Sequence, residues 1–226
     1  MIEHEGINFE IYDVDLFNEV IRDDCYSVKS WLPETRPFCL DLGANLGTFA
    51  LWAASLGCDV LAIEPHPESY AALLRNISLN PKLLGKIIPW NIAVALENKP
   101  WRLRFARRDG FPMFGTNVLC NSTLDYDGFV EPWETIDIRC RTFSDILATA
   151  LDSDLGSRVP EGWNSFLKVD IEQSDREFMG VQPADLSRFK RVSFEKHLMD
   201  LPYGKLLKDA GFQVSDVGRY IRGIKS

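Results

Sequence analysis

Apolar and polar positions along the chain fall into short apolar runs alternating with stretches of helical spacing, the rhythm of βαβ units and a parallel sheet. Phe38 to Leu42 and Asp59 to Ile63 read as buried strands, and between them Thr48 to Leu56 reads as a helix with Phe49, Ala50 and Ala53 on one face. Pro65 and Pro67 open a second helix with an apolar stripe of Tyr70, Leu73, Leu74 and Ile77, which Asn80-Pro81 ends. Residues 86 to 94 form a third strand. Upstream, Leu16, Phe17, Val20 and Ile21 follow helical spacing in an N-terminal cap over residues 1 to 37.

The rhythm then breaks. Trp101 to Arg107 alternates apolar and basic residues, as a strand with one solvated face does, and is expected to add antiparallel to the core. Asp109 to Thr135 shows neither period. It carries Phe111, Phe114, Tyr126, Phe129 and Trp133, which places a substrate wall or lid in a loop-rich insertion at about 96 to 135. Later elements are strands at Ile136 to Cys140, Phe166 to Ile171 and Arg191 to Glu195, and helices at Phe143 to Ala150 and Tyr203 to Ala210. A terminal hairpin of Phe212 to Val217 and Arg219 to Ile224 turns at Gly218. No repeat divides the chain, so residues 1 to 226 are expected to be one domain with its core over 38 to 226.

With 226 residues, 46% of them hydrophobic, the chain buries a substantial core. A formal net charge of -8 argues against a nucleic-acid partner, which requires clustered Lys and Arg. An acidic start, Met1-Ile-Glu-His-Glu, and no long apolar run predict neither a secretory signal nor a membrane span, hence a cytoplasmic protein. Five cysteines without a C-x-x-C pair read as reduced thiols, and three scattered histidines argue against a histidine-rich metal centre. No metal site is assigned, although carboxylates leave room for a hard cation.

The stretch Leu40-Asp41-Leu-Gly43-Ala44-Asn45-Leu-Gly47 runs from a strand through a glycine-punctuated turn into a helix, the form of a nucleotide-cofactor site. A dinucleotide turn reads G-x-G-x-x-G, and here Asn45 stands in place of its second glycine, which disfavours NAD or FAD. A cofactor with an amino-acid tail suits the turn better. Asp41 and the turn amides would bind its ammonium and carboxylate, Glu64 before Pro65 would accept the ribose hydroxyls, and Asn91 would meet the adenine edge. S-adenosylmethionine fits that description, with S-adenosylhomocysteine as its product.

Together with Ile63-Glu64-Pro65, Asn121-Ser122-Thr123-Leu124, Leu167-Lys168-Val-Asp170-Ile-Glu172 and Phe194-Glu195, the turn resembles the FkbM-type S-adenosylmethionine-dependent methyltransferases. The likeness runs from about Cys25-Tyr26 to the C-terminus, with one departure. Where the family segment continues with Gly and then an acidic residue, this chain has Gln173-Ser174-Asp175. The resemblance implies a Rossmann-like class I α/β fold: a seven-stranded, mostly parallel sheet with an antiparallel C-terminal strand and helices on both faces. It also implies O-methylation of a hydroxyl on a small molecule or sugar.

In that topology Asp170 and Glu172 stand at the methyl-transfer centre, where they would orient the hydroxyl or take its proton, with Glu195 and His197 converging from the next strand end. His197 has the ordinary imidazole pKa of a base near neutrality. Two alternatives stay open: a non-catalytic interaction module of the same fold, and a nicotinamide-dependent oxidoreductase. Neither the acceptor nor the oligomeric state is legible.

Overall fold

The structure, a computed structural model, describes residues 2–10, 14–30, 37–108, 111–112, 118–120, 133–152 and 165–225. The chain opens with a hairpin, β1 (Ile2–His4) and β2 (Ile7–Phe9), then a helical segment, α1 (Val14–Phe17) continuing as a wider turn through Asn18–Arg22. The apolar spacing anticipated that segment but not the hairpin.

The core follows as β3 (Phe38–Leu42), α2 (Thr48–Ser55), β4 (Asp59–Ile63), α3 (Pro67–Ser78) and β5 (Ile87–Trp90). Every residue of β3 and β4 is buried, as in parallel strands covered on both faces. Helix α3 starts where sequence rules place it, with Pro67 in the first turn and the His66 side chain accepting from the Ser69 N–H. The expected strand over 86 to 94 is divided. After β5 the chain leaves the sheet, and β6 (Ala93–Val94) pairs instead with β11 (Cys140–Arg141).

Between these lies the addition: β7 (Trp101–Arg108), β8 (Phe111–Pro112), β9 (Val118–Cys120) and β10 (Trp133–Ile138), all antiparallel to β7. The alternation in Trp101 to Arg107 is that of its buried Trp101, Leu103 and Phe105. Of the aromatic loop, Phe114, Tyr126, Phe129 and the Asn121 to Leu124 stretch lie outside the described residues.

Helix α4 (Phe143–Asp152) leads to β12 (Ser165–Val169), short helices α5 (Asp175–Phe178) and α6 (Pro183–Leu186), β13 (Arg191–Glu195), α7 (Tyr203–Asp209) and the hairpin β14 (Gln213–Val217) with β15 (Tyr220–Ile224). The main sheet has seven strands in the order β14-β15-β13-β12-β3-β4-β5. All run parallel except β15, which is antiparallel to both its neighbours. This matches the sheet implied by the resemblance. Large apolar clusters cover its two faces, and a third, built on Trp101, Leu103, Leu119 and Ile138, holds the addition together. Cys25, Cys39, Cys58 and Cys140 are buried free thiols. Among the described residues no helix is long and apolar enough to cross a membrane.

The strand order reverses between β3 and β12, and loops leaving the carboxyl ends of strands on either side of such a point open a crevice. Registers set what meets there. Lys168 lies beside Asp41 and Val169 beside Leu42, so the turn after β3 and the loop after β12 start level.

Candidate active site

A cavity sits at this crevice. Gly43 and Asn45 from the turn, Glu64 and Pro65 after β4, and Asp170 and Glu172 after β12 line it. Leu103 of β7 and Leu119 of β9 also line it, whereas none of the aromatic residues expected to form a substrate wall is among its described lining residues. The Leu119 N–H donates to Ser174 Oγ (3.0 Å), tying β9 to the loop after β12.

The turn is shaped by protein contacts. Gly43, Asn45 and Gly47 all have positive φ (79°, 51° and 86°). Asparagine tolerates the left-handed region, which is why it can replace a glycine at 45. A Cβ on Gly43 would lie 1.7 Å from the Asp170 carbonyl oxygen, and one on Gly47 would lie 2.4 Å from Leu73 Cδ1. Both glycines therefore admit neighbouring protein, whereas the sequence argument assigned their missing Cβ atoms to a ligand.

Two expectations for this turn are corrected. Asp41 is fully buried, absent from the cavity lining, and bonded through Oδ1 to Lys168 Nζ (3.0 Å), so the fold gives it to the lysine and not to the cavity. The turn amides are also committed: Gly43 and Ala44 N–H donate to the Ile63 carbonyl, and the Gly47 N–H to the Ala44 carbonyl. Ala44 and Gly47 do not line the cavity. Lys168, itself buried, also donates to the Gly43 carbonyl (2.8 Å) and lies 3.4 Å from Asp170 Oδ2. Burial works against its charge, but Asp41 and Asp170 outweigh that and hold it protonated.

Glu64 is placed as expected, yet its oxygens already accept the Asn45 N–H (2.8 Å) and the His66 N–H (2.8 Å). Each carboxylate oxygen keeps a second lone pair for a ligand. Burial raises its pKa to about 7 against these two donors. Asn91 is not at the cavity wall. Its Nδ2 donates to the Glu64 and Pro65 carbonyls (2.9 and 3.0 Å), so it shapes the Glu64 loop instead of meeting a base.

The four residues expected at the reaction centre do come together. His197 Nε2 faces Glu172 Oε2 at 3.2 Å, and Asp170 Oδ1 and Glu195 Oε1 at 3.7 Å. Asp175, wholly buried, lies behind with Oδ2 3.5 Å from Nδ1 and accepts from the His197 N–H and the Tyr203 hydroxyl. Burial disfavours the imidazolium, but Asp175, Glu172 and Asp170 overcome that and raise the His197 pKa to about 9. His197 is thus cationic at neutral pH, which removes the ground for taking it as the base. Burial and the neighbouring Asp170 charge raise Glu172 to about 7. Asp170, Glu172 and, once its Nε2 gives up its proton, His197 each offer one ligand atom, all within 4.8 Å of one another, so among the described residues this group could hold a cation.

Sequence reasoning passed over Tyr26 and Arg219, which bond Asp170 and Glu195 from distant segments, and Asp175, which accepts the His197 N–H. Lys168 was noted only as part of a motif. A lysine inside a strand as apolar as Ser165-Phe-Leu-Lys-Val169 was the available signal, since buried cations need partners.

The fit to S-adenosylmethionine rests on this wall. Asn45 Oδ1 is a buried acceptor without a partner among the described residues, and Glu64 retains acceptor capacity, so ammonium and hydroxyl donors have places to bind.

The FkbM methyltransferase domain model matches residues 41–214. The chain is similar to the 31-O-demethyl-FK506 methyltransferase FkbM of Streptomyces tacrolimicus, at 29% identity over 88% of this chain and 81% of that protein. It is also similar to the methyltransferase sdnD of Sordaria araneosa, at 39% identity over 31% of this chain and 27% of the other. Among solved structures, the METTL16 MTase domain superposes with a TM-score of 0.50 at 13% identity, covering 97% of this chain and 73% of that one, a likeness of fold alone.

Proposed function

The chain belongs to the FkbM methyltransferase family and uses S-adenosylmethionine, and from that premise we propose that it O-methylates a hydroxyl on a small molecule or sugar. The observation that carries this reading is the Asp170, Glu172 and His197 cluster, two of whose members line a cavity together with Gly43 and Asn45 of the glycine-punctuated turn. The name of the Streptomyces relative, which specifies an O-demethyl acceptor, supports the same choice. In this reading residues 1 to 226 form one cytoplasmic methyltransferase domain.

When bound, the cofactor supplies an electrophilic methyl group on a sulfonium. The residues do the rest. Glu64 and Asn45 fix the cofactor through their remaining acceptor positions. Asp170 accepts a hydrogen bond from the acceptor hydroxyl and holds its oxygen in line, since positioning supplies most of the rate in a displacement. Glu172, with a pKa near 7, takes the hydroxyl proton most effectively near neutral pH. His197, as the imidazolium, keeps the neighbouring carboxylates apart in function without itself gaining a proton.

The test combines titration with S-adenosylhomocysteine and transfer of labelled methyl to a panel of sugars, polyols, 31-O-demethyl-FK506, amines and thiols. Label is expected only in hydroxyl compounds. Glu64→Ala should weaken S-adenosylhomocysteine at least tenfold, whereas Asp170→Ala should keep that affinity and lose turnover. A folded sample that binds no S-adenosylhomocysteine, label confined to amines, or normal turnover by Asp170→Ala would each overturn the corresponding part.

A further inference from the structure

We infer that Tyr26 is a positioning residue for methyl transfer, its hydroxyl fixing the Asp170 carboxylate so that one oxygen is anchored and the other faces the reaction centre. The inference rests on the role given above to Asp170. Tyr26 lies 144 positions away in sequence, yet its hydroxyl donates to Asp170 Oδ2 at 2.9 Å and lies 3.2 Å from Glu195 Oε2. It is thus one phenol bridging carboxylates from the ends of two adjacent parallel strands, β12 and β13.

A positioning group must itself be rigid. The Asp24 carboxylate accepts the N–H groups of Val28 (2.7 Å) and Lys29 (3.2 Å), and the Ser27 N–H returns to the Asp24 carbonyl (2.7 Å). Arg222 from β15 donates to the Cys25 carbonyl (2.7 Å), pinning the turn to the sheet. The Tyr26 ring, 2% exposed, meets Phe49 and Tyr220 edge-on with centroids 5.5 and 5.4 Å apart. Burial and the adjacent Asp170 and Glu195 charges keep the phenol protonated, hence a donor.

The consequence falls on Asp170. Its Oδ2 is held by Tyr26 and by Lys168 at 3.4 Å, which leaves Oδ1 turned towards His197 Nε2 at 3.7 Å. Glu195, the phenol's second neighbour, is held at its other oxygen by Arg219 (2.5 Å). The N-terminal segment is therefore a working part of the site, although it lies far along the chain from the motifs it serves.

Tyr26→Phe keeps the ring and removes one donor. With S-adenosylhomocysteine bound, crystals of wild type should show Asp170 in one orientation, and crystals of Tyr26→Phe should show it rotated or split. For the hydroxyl compound methylated in the panel, kcat should fall about ten- to a hundredfold, the worth of one hydrogen bond to a charged group. KM for S-adenosylmethionine should stay within twofold. Tyr70→Phe, which removes a hydroxyl bonded to the Pro89 carbonyl away from the site, is the matched control and should leave kcat unchanged. Asp170→Asn separates the two readings. If it abolishes turnover while Tyr26→Phe keeps both wild-type kcat and an undisturbed Asp170, this inference alone is wrong, and if Asp170→Asn is fully active, both fall.

Discussion

Lys168→Met removes the one positive charge that compensates buried Asp41, at almost constant side-chain length. In the native protein Lys168 is 3% exposed and Asp41 0%, their atoms are 3.0 Å apart, and Asp41 Oδ2 has no partner among the described residues. Breaking such a pair by removing one member leaves an uncompensated buried charge and costs about 3–5 kcal/mol. A protein of this length loses roughly 2–4 °C of Tm per kcal/mol, so a fall of about 6–20 °C is expected, read by circular dichroism melts. The Gly43 carbonyl loses a donor as well, so S-adenosylhomocysteine should bind more weakly through a loosened turn. Replacing both partners by apolar residues is often neutral or better, so Lys168→Met/Asp41→Leu should recover much of the lost Tm. A single-variant shift under about 2 °C, or a double variant as unstable as the summed singles, would refute the reasoning.

Two further outcomes follow from the same geometry. Gly43→Ala should abolish folding or cost more than about 4 kcal/mol, since backbone stands 1.7 Å from the new Cβ at φ +79°, while Gly57→Ala (φ +97°, nothing within 4 Å) should cost only about 1–2 kcal/mol. Denaturant titrations compare them, and equal costs would be inconsistent with the contact. The apoprotein should be less stable at pH 9 than at pH 5.5. Glu64 and Glu172 are raised from ordinary values near 4.5 to about 7 and His197 from 6.5 to about 9, so between pH 4.5 and 9 the folded state binds more protons than the unfolded chain. Stability then falls as pH rises: the His197 contribution is complete below pH 6.5 and gone above 9, and the cost of ionising buried Glu64, about 3 kcal/mol, accrues between 4.5 and 7. A melting temperature that rises across this interval would contradict the burial of these groups.

The parts of the protein legible in its sequence are those where neighbours along the chain decide the outcome. β3 and β4 have the bounds their apolar runs predict, because a strand covered on both faces is mostly apolar. Helix α3 begins at its proline, and the turn from Gly43 to Gly47 takes left-handed conformations that glycine and asparagine permit. The carboxylates after β12 and β13 follow too, since parallel strands deliver their ends to one edge of a sheet.

What only the tertiary structure decided is which partner each polar group has. Asp41 and Asn91 have the residue types a cofactor site needs, yet folding gives the first to Lys168 and the second to the Glu64 loop. His197 keeps an ordinary pKa in any sequence argument, but four carboxylates from segments 170–175 and 195 make it a cation. Tyr26 reaches Asp170 across 144 residues. The physical reason is range. Backbone preference and periodicity act over a few residues, whereas charge, hydrogen bonding and desolvation depend on distances of a few ångströms between atoms that only the completed fold brings together.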